Sequence, residues 1–365
     1  MVIVIDLTSL SYHMTGIERY ASCITEEMLK QNVNNKYYLI FRNEIYPIFN
    51  QFIDDKKVII KILSGNNKLL FYQWVLPRAL NKIKADIYLF LAFTSPVLLN
   101  KKSIFNTIHD MGAWDSAQSM KVLQKIYWRT TYRVAAKNSK GIITVSEFSK
   151  GRIVDILNYP EDKIKVIPSA VYKRVIDLSS AKYSDIEKEY QLPSRYIMSL
   201  STLEPRKNLK ILLEAFVDIM DRVSYDLVLV GRKGWKIDDI LQRYNAQSRI
   251  HITGFVADEH VAHIYKNAMC FVFPSLYEGF GLPPIEALSL GTPVVASNAA
   301  SIPEVLRGQA TYFNNNSKDE LKVILLNLED KIINMPSELD SYQTDNYKFD
   351  VSARKIVEFI EETCL

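Results

Sequence analysis

Two glutamates with seven residues between them, Glu278 and Glu286, have the chemistry and spacing to bind a ligand rich in hydroxyl groups. They lie in the segment FVFPSLYEGFGLPPIEALSLGTPVVAS, residues 271–297, where a strand is predicted to end near Pro274 and a helix to begin at Pro283. A carboxylate can accept hydrogen bonds from two neighbouring hydroxyls, each contributing about 1.5–3 kcal/mol. The alternative interpretation, a capped helix with ordinary surface acids, fits this strand–loop–helix context less well.

The glycines of the same loop predict an anion site between the two carboxylates. Glycine lets the backbone approach a ligand closely, and free N–H groups at a helix start bind phosphate. We therefore assign ligand binding to four consecutive residues: Gly279, Phe280, Gly281 and Leu282.

Two adjacent cations, Arg206 and Lys207, follow a predicted strand and precede a helix predicted from Asn208. Such a pair can hold a diphosphate and neutralise its charge as it leaves. Taken alone, the two residues would be interpreted as solvated surface cations. Beside the acidic loop, phosphate binding is the favoured hypothesis.

The histidines give one further candidate and exclude a zinc site. His109 lies at the end of the predicted strand in SIFNTIHD, a position that favours a functional role over a satisfied core histidine. His260 and His263 lie on a helix predicted to be exposed, with no third ligand nearby. The sequence also has no Asp-x-Asp pair and no nucleotide-binding glycine motif of the G-x-G-x-x-G or P-loop type. We therefore expect neither a metal nor a resident cofactor.

Short apolar runs alternate with amphipathic stretches along the whole sequence, which is typical of parallel sheets covered by helices on both faces. Strands are predicted at 2–5, 37–41, 58–63, 87–93, 103–108, 141–145, 196–200, 227–230, 250–253, 270–274 and 294–296. Helices are predicted between many of them, among others at 16–30, 68–84 and 118–137. A charged segment at 172–192 separates two such series, so we predict an α/β fold with two doubly wound Rossmann-like domains, 1–172 and 193–346.

Composition excludes several other classes of protein. A chain of 365 residues is longer than one hydrophobic core usually organises, and 48% hydrophobic with 24% charged residues excludes general disorder. The net charge of +4 is too small to indicate a nucleic-acid partner. The longest apolar run, 87–93, is far shorter than the roughly 18 residues of a membrane helix. Three cysteines without metal or disulfide spacing, and no signal peptide, predict a cytoplasmic location.

Taken together, these motifs resemble the retaining glycosyltransferases of family 4, which have the two-domain GT-B fold. The segment 271–297 is similar to the E-x7-E region of that family, and SLSTLEPRKNLKILLEAF (199–216) to its phosphate-binding loop. VSEFSKGRI (145–153) resembles its N-domain helix start, and TGIERY (15–20) its N-terminal glycine loop. The resemblance implies that the two domains face a central cleft and that a C-terminal helix, within 347–365, crosses back to the N-terminal domain.

The resemblance also implies roles for the candidate residues. Glu278 would hold sugar hydroxyls, Glu286 the ribose, and Arg206 with Lys207 the leaving diphosphate. His109 would contact the donor sugar from the other domain.

Four further residues take roles from the resemblance alone. Gly16 and Arg19 of the N-terminal glycine loop would approach the donor pyrophosphate, and for Arg19 a role in packing alone stays open as the alternative. The backbone around Phe255 and Val256 would meet the base.

The sequence departs from the family pattern at two positions that bear on the site. Ser201 stands where many members carry arginine, and either Arg206 or Arg19 would then supply that charge in the donor site. Val351 stands where members frequently carry tryptophan, which predicts looser docking of the C-terminal helix.

The segment SMKVLQKIYWRTTYRVAAKNSK, residues 119–140, contains no acidic residue. Its cations recur at every fourth position: Lys121, Lys125, Arg129, Arg133 and Lys137. Interleaved with Tyr127, Trp128 and Tyr132, they suit an anionic membrane surface, each cation adding about 1 kcal/mol. The alternative is a solvated helix face with its aromatic residues in the core. A lipid-linked acceptor would favour the membrane interpretation. We therefore expect the protein to lie peripherally on the inner face of the plasma membrane.

The activity implied by the resemblance is retaining, metal-independent transfer of a hexose from a nucleotide-diphosphate sugar to a lipid-linked or saccharide acceptor. TGIERY and LEPRKN look most like bacterial mannosyl- and rhamnosyltransferases of O-antigen or capsule synthesis, so GDP-mannose is the favoured donor. Three alternatives stay open: a rhamnosyl- or UDP-sugar transferase, a sugar-nucleotide epimerase, and a non-catalytic nucleotide-sugar-binding subunit.

Overall fold

The computed structural model describes residues 1–12, 14–31, 34–116, 120–172, 177–178, 182–234, 242–244 and 247–364. The chain divides into two compact units, Met1–Ala170 with Asn346–Leu365, and Val171–Asp345. The charged segment predicted to separate two domains begins at this boundary. Its residues 173–176 and 179–181 lie outside the described part of the chain.

A parallel sheet forms the centre of the first unit, with seven strands among the residues described there. They are β1 Val2–Asp6, β2 Lys36–Arg42, β3 Val58–Leu63, β4 Ile87–Phe90, β5 Ile104–Thr107, β6 Ser139–Thr144 and β7 Ile164–Val166. Their order across the sheet is β3-β2-β1-β4-β5-β6-β7. The chain changes direction across the sheet between β1 and β4. A crevice outside the carboxyl ends of the strands at such a switch point is where ligands bind.

Helices cover this sheet and one of them contains a π-helical turn. Their bounds are α1 Gly16–Lys30, α2 Lys68–Leu70, α3 Leu76–Asn81, α4 Gly112–Asp115, α5 Val122–Asn138 and α6 Glu147–Leu157, with 3-10 turns at Pro47–Phe52 and Glu161–Lys163. The single regular helix predicted over 68–84 is wrong, because Phe71–Val75 between α2 and α3 is π-helical. Pro77 has no N–H to donate to the carbonyl of Gln73, which breaks the regular α-helical ladder there.

A second parallel sheet organises the second unit, with six strands in the part of that unit that is described. They are β8 Tyr196–Leu200, β9 Asp226–Val230, β10 Ile250–Gly254, β11 Cys270–Phe273, β12 Val294–Ser297 and β13 Thr311–Phe313. Their order is β10-β9-β8-β11-β12-β13, so the switch point of this sheet lies between β8 and β11.

The helices of the second unit follow its strands. They are α7 Tyr183–Glu189, α8 Leu209–Val217, α9 Asp258–Asn267, α10 Leu282–Ser289, α11 Ile302–Leu306, α12 Lys318–Leu326, α13 Leu328–Lys331 and α14 Ser341–Asn346, with 3-10 turns at Pro205–Lys207, Met220–Arg222 and Ile332–Asn334. The alternation of strand and helix confirms the predicted α/β class with two doubly wound sheets.

The strands with continuous apolar runs are buried, as expected for parallel sheets covered on both faces. β4, β5, β11 and β12 have no residue that reaches intermediate exposure. Two short strands, β7 and β13, were not predicted, because three residues are too few to establish a period along the sequence.

The C-terminal helix, α15 Phe349–Cys364, belongs to the first unit, as predicted. Ser352 donates its hydroxyl to the carbonyl oxygen of Pro168 at 2.8 Å. The Phe359 ring packs edge-on against Phe105 of β5, with 5.8 Å between ring centres. The C-terminal helix therefore packs against the sheet of the first unit, although it lies at the other end of the sequence.

Candidate functional site

The two predicted phosphate-binding cations lie beside the switch point of the second unit. After β8 the chain forms the 3-10 turn that contains Arg206 and Lys207, and α8 begins at Leu209. Asn208, between turn and helix, has a left-handed backbone with φ 52°, a conformation that asparagine tolerates. Its amide also donates to the carbonyl oxygen of Asn315 at 2.9 Å. The turn thus fixes both cations at the end of a central strand.

Glu278, in the loop after β11, lies between these two cations. Its Oε1 is 2.6 Å from Lys207 Nζ and its Oε2 is 2.9 Å from Arg206 Nη1, so both contacts are charge-assisted hydrogen bonds. The residue is only 7% exposed. Burial by itself raises the pKa of this carboxyl, but Arg206 and Lys207 outweigh burial and lower the pKa from 4.5 to about 2. Glu278 is therefore ionised at neutral pH.

Lys207 is largely buried between this carboxylate and an aromatic ring. Burial lowers the pKa of its ammonium group, Glu278 opposes that effect, and Arg206 adds to it. Its Nζ lies 5.7 Å from the centre of the Phe273 ring, within range of a cation–π interaction. A cation held in this way is ordered before any ligand arrives.

Arg206 has further partners that tie the turn to the loop after β11. Its guanidinium lies 3.0 Å from Glu204 and donates to the carbonyl oxygen of Tyr277 at 2.8 Å. Its own carbonyl accepts from the amide of Leu276 at 2.9 Å. With Glu204 and Glu278 facing Arg206 and Lys207, two carboxylates balance two cations in this cluster.

The glycine loop continues from Glu278 to the start of α10. Gly281 has φ +94°, a backbone angle that residues with a Cβ rarely adopt. The hydroxyl of Ser301 fixes the loop by donating to the carbonyl oxygen of Glu278 at 2.9 Å. Pro283 and Pro284 fill the first turn of α10 and have no N–H. The expected anion site therefore depends on the side-chain cations more than on the helix start.

Glu286 lies inside α10 and is 5% exposed. Tyr265 of α9, fully buried, donates its hydroxyl to Glu286 Oε2 at 3.2 Å and packs against Phe271. Tyr265 is not among the residues predicted from the sequence. A tyrosine on the apolar face of a helix gives no local signal of contact with a carboxylate 21 residues away.

Ser201 follows β8 and Phe255 follows β10, two strands of this unit that are separated by β9. The Ser201 hydroxyl is buried and has no hydrogen-bond partner among the described residues, and Val256 is buried as well. Phe255 is 51% exposed, and the guanidinium of Arg232 lies 4.3 Å from its ring centre. Arg232 follows β9 and its carbonyl accepts from the amide of Leu203, which brings it to the cationic turn. Its position after a strand was the signal that could have identified it.

His109 follows β5 in the first unit. Its Nε2 lies 2.9 Å from the carbonyl oxygen of Leu91, and since a carbonyl only accepts, Nε2 carries the proton. Burial lowers the pKa of the imidazole, and the contact with Leu91 opposes that effect. The neutral ring therefore presents Nδ1 as an acceptor. Its edge-on neighbour is Tyr20, at 5.0 Å between ring centres.

Gly16 and Arg19 lie in the first turn of α1. Thr15 precedes the helix, and its amide donates to the carboxylate of Glu18 at 2.7 Å, a contact that fixes the helix start. The helix start that the resemblance implied within 145–153 is that of α6, and its N-cap is Ser146, whose hydroxyl accepts from the amide of Ser149.

The basic segment forms α5 from Val122 onward, and its residue 119 lies outside the described part of the chain. Three apolar side chains near the start of α5 are exposed: Val122 at 71%, Leu123 at 82% and Ile126 at 56%. These three residues are called the α5 apolar patch below. Among all described residues, no helix is both long and apolar enough to cross a bilayer.

Two of the five cations of the basic segment, both in α5, contact the protein itself. Arg129 and Arg133 lie over the Trp114 ring, at 5.4 and 5.5 Å from its centre. The interleaved aromatic residues are half-buried, and Trp128 stacks on Phe93. Packing within the protein therefore explains Arg129, Arg133 and the aromatic residues of this segment. It does not explain Lys121, Lys125 and Lys137.

α9 is not the exposed helix that the sequence analysis expected, because His263 is buried within its inner face. His260 contacts the hydroxyl of Tyr190 through Nδ1 at 3.0 Å. Within the described ranges, no group of three His, Cys, Asp or Glu side chains could hold a metal ion.

Comparison with known families and proteins places the sequence among glycosyltransferases. Residues 14–172 match the family model described as Glycosyltransferase Family 4, and residues 184–343 match the one described as Glycosyl transferases group 1. O-antigen chain mannosyltransferase B of Escherichia coli is 31% identical over 90% of this chain and 91% of that protein. O-antigen chain mannosyltransferase RfbU of Salmonella typhimurium strain LT2 is 29% identical over 70% of this chain and 69% of that protein.

Solved structures share the fold at low sequence identity. HepE of Anabaena, in complex with UDP and glucose, superposes with a TM-score of 0.75 at 16% identity, covering 99% of this chain and all of that one. WaaG, a glycosyltransferase involved in lipopolysaccharide biosynthesis, has a TM-score of 0.66 at 14% identity, covering 100% and 98% of the two chains.

Proposed function

The chain belongs to the glycosyltransferases of family 4 and has the GT-B fold, and we propose that it transfers a hexose from a nucleotide-diphosphate sugar to a bacterial surface polysaccharide. The observation that carries this proposal is the buried Glu278–Arg206–Lys207 cluster at the switch point of the second unit. The favoured donor is GDP-mannose, supported by relatives named as mannosyltransferases.

In this proposal, Arg206 and Lys207 bind the diphosphate and stabilise the charge that develops as it leaves. Glu278 keeps both cations ordered before the donor binds, and its carboxylate oxygens are the proposed acceptors for sugar hydroxyls. Arg232, next to the turn, is a third cation available in a site whose Ser201 has replaced arginine.

The nucleoside half of the donor is assigned to the neighbouring elements of the same unit. Glu286, held by Tyr265, accepts hydrogen bonds from the two ribose hydroxyls. Phe255 and Val256 meet the base, and the loop backbone follows the diphosphate through Gly279, Phe280, Gly281 and Leu282.

The transfer is proposed to retain the anomeric configuration and to need no metal. The acceptor hydroxyl would enter on the face from which the diphosphate leaves, with the cations supplying the charge stabilisation that a metal provides elsewhere. In the first unit, His109 is assigned to the transferred sugar through its Nδ1, and Gly16 with Arg19 to the pyrophosphate.

Thermal unfolding with GDP, UDP and dTDP in parallel tests the donor. A nucleotide at 100 times its dissociation constant adds about 2.7 kcal/mol of stability. We expect GDP to raise Tm most and Lys207→Ala to abolish that rise. Equal shifts in the wild type and in Lys207→Ala would contradict the phosphate assignment. A response to dTDP or UDP alone would redirect the assignment to the rhamnosyl or UDP-sugar alternatives.

Product analysis separates the transferase from its two rivals. Wild-type protein with GDP-mannose and octyl α-mannoside, in the presence of EDTA, should give an α-linked disaccharide detectable by NMR. A β-linked product would refute retention, and activity restored only by added metal would refute metal independence. An epimerised donor without disaccharide would indicate the epimerase, and nucleotide binding without any turnover the non-catalytic subunit.

We also propose that α5 contacts an anionic membrane surface and a lipid-linked acceptor, with the α5 apolar patch entering the interface. Lys121 and Lys125 flank this patch, and burying each exposed apolar side chain contributes about 1.5–3 kcal/mol. A second exposed group lies on α2 and the π-helical turn: Leu69 at 54%, Leu70 at 57% and Trp74 at 49%. Gln73 of that turn donates to the hydroxyl of Tyr127 at 3.1 Å, so the two groups belong to one connected surface.

Co-sedimentation with phosphatidylglycerol and phosphatidylcholine vesicles tests this surface. Replacing Val122, Leu123 and Ile126 by serine should reduce binding to the anionic vesicles at least fivefold. Val323→Ser, which changes a 54% exposed valine on α12, is the matched control and should bind like the wild type. Undiminished binding of the triple variant would mean that α5 is an ordinary solvated helix.

A further inference from the structure

Asp6 is a buried carboxylate at the switch point of the first unit to which the proposed function assigns no role. It is the last residue of β1, and its register partners are Ile40 of β2 and Phe90 of β4, the strands on either side. Only 4% of Asp6 is exposed. Like Glu278, which follows β11 at the switch point of the second sheet, Asp6 lies where its sheet reverses order.

The two oxygens of Asp6 differ in how well they are satisfied. Oδ1 accepts from the amide of Thr8 at 3.1 Å and from the Thr8 hydroxyl at 2.7 Å. Among the described residues, Oδ2 has one hydrogen-bond neighbour, the Tyr72 hydroxyl at 3.3 Å, and that hydroxyl lies closer to the carbonyl oxygen of Thr94, at 2.9 Å. Tyrosine has a single hydroxyl proton, so the shorter contact takes it and Oδ2 keeps unused capacity for a donor.

No cation in the part of the chain that the structure describes compensates this carboxylate. None of the arginine, lysine and histidine side chains in the described ranges forms an ion pair with Asp6, in contrast to Glu278 with its two cations. Burial is accordingly the largest influence on the pKa of Asp6 and raises it, while the hydrogen bonds from Thr8 lower it. An uncompensated buried carboxyl group destabilises a fold, and such groups concentrate at functional sites.

The surroundings of Asp6 indicate the class of ligand. Two hydroxyl groups contact it, those of Thr8 and Tyr72, and Ser9, next to Thr8 in the chain, has a buried Oγ without a partner among the described residues. A buried carboxyl group without a cation repels phosphate. It can accept a hydrogen bond from a neutral hydroxyl, which is the group that a saccharide presents.

We propose that Asp6 and Tyr72 bind a hydroxyl group of the saccharide acceptor. Asp6 Oδ2 accepts the hydrogen bond from that hydroxyl, and the Tyr72 oxygen borders it on the other side. The inference rests on the proposed transferase function, and it assigns the acceptor to a set of residues separate from those assigned to the donor.

Two-substrate kinetics with GDP-mannose and octyl α-mannoside test the assignment in Asp6→Asn and Tyr72→Phe. We expect the KM for octyl α-mannoside to rise at least tenfold, and the ratio of acceptor KM to donor KM at least fivefold. Tyr159→Phe is the matched control, because it also removes a tyrosine hydroxyl that donates to a backbone carbonyl, that of Ser139 at 3.2 Å. It should leave the KM ratio unchanged.

The outcomes separate this inference from the proposed function. No transfer by the wild type would refute the proposed function itself. Transfer by the wild type with an unchanged KM ratio in both variants would overturn the acceptor assignment, and so would a lowered Tm as their only effect. If Asp6→Asn does not fold, Tyr72→Phe alone carries the test, since it keeps the ring and removes one atom.

Discussion

Replacing Glu278 by glutamine tests whether this buried carboxylate holds together the two cations that are proposed to bind the diphosphate. The change keeps the size of the side chain and removes its charge, so Lys207 and Arg206 lose their shared partner at 2.6 and 2.9 Å. Arg206 keeps its ion pair with Glu204, whereas Lys207 has no second ion pair among the described residues. The variant therefore leaves a buried cation uncompensated.

The size of the effect follows from the pKa of Glu278. Folding lowers that pKa from 4.5 to about 2, an interval that corresponds to about 3 kcal/mol. Because the folded-state pKa is depressed, this stability is present above pH 4.5 and is lost as the pH falls towards 2. Glutamine lacks it at every pH. For a unit of this size, about 3 kcal/mol corresponds to a fall in Tm of roughly 6–12 °C.

Thermal unfolding at pH 7, with and without GDP, is the assay. We expect Glu278→Gln to lower Tm in the absence of ligand, and GDP to raise Tm by more in the variant than in the wild type. The reason is that the diphosphate supplies the negative charge that the variant has lost. Glu204→Gln is the matched control, because Glu204 is 23% exposed and its loss should change stability by less than about 1 kcal/mol.

Two results would refute this reasoning. Equal Tm values for Glu278→Gln and wild type at pH 7 would mean that the ion cluster contributes no stability. A smaller rise in Tm with GDP than in the wild type would mean that the cations do not bind the diphosphate.

Three further predictions concern other contacts. Tyr265→Phe removes the hydroxyl that orients Glu286 and should raise the donor KM about tenfold in steady-state kinetics, while an unchanged KM would remove Tyr265 from the ribose site. Gly231→Ala should lower the free energy of unfolding by about 3 kcal/mol or more in urea titration. The reason is that φ is +136° and the added Cβ would lie 1.9 Å from the carbonyl oxygen of Ser201, so a near-neutral result would contradict this geometry. Ser146→Ala should cost about 1 kcal/mol in the same titration, as the loss of an N-cap does, and no loss would show that the cap is dispensable.

The sequence alone predicted the elements whose signals are local. Apolar runs identified the central strands, and the segment 145–153 and Pro283 marked helix starts, because each pattern depends on neighbours within a few residues. Strand ends identified Arg206, Lys207, Glu278 and His109 as candidates, since the carboxyl ends of parallel strands lie at one edge of a sheet. Local signals failed where they were too short, as in β7 and β13, or interrupted, as at the π-helical turn before Pro77.

Only the tertiary structure decided which side chains meet. Glu278 and Arg206 are 72 residues apart in the sequence and Tyr72 and Asp6 are 66 apart, yet each pair is in contact. The same holds for the burial of His263 and for the contacts of Arg129 and Arg133 with Trp114, which the pattern of α5 presented as a basic surface. Periodicity along a chain reports which face of an element is apolar. The pairing and pKa of a buried charge depend on groups that strand order and helix packing bring to it from distant parts of the sequence.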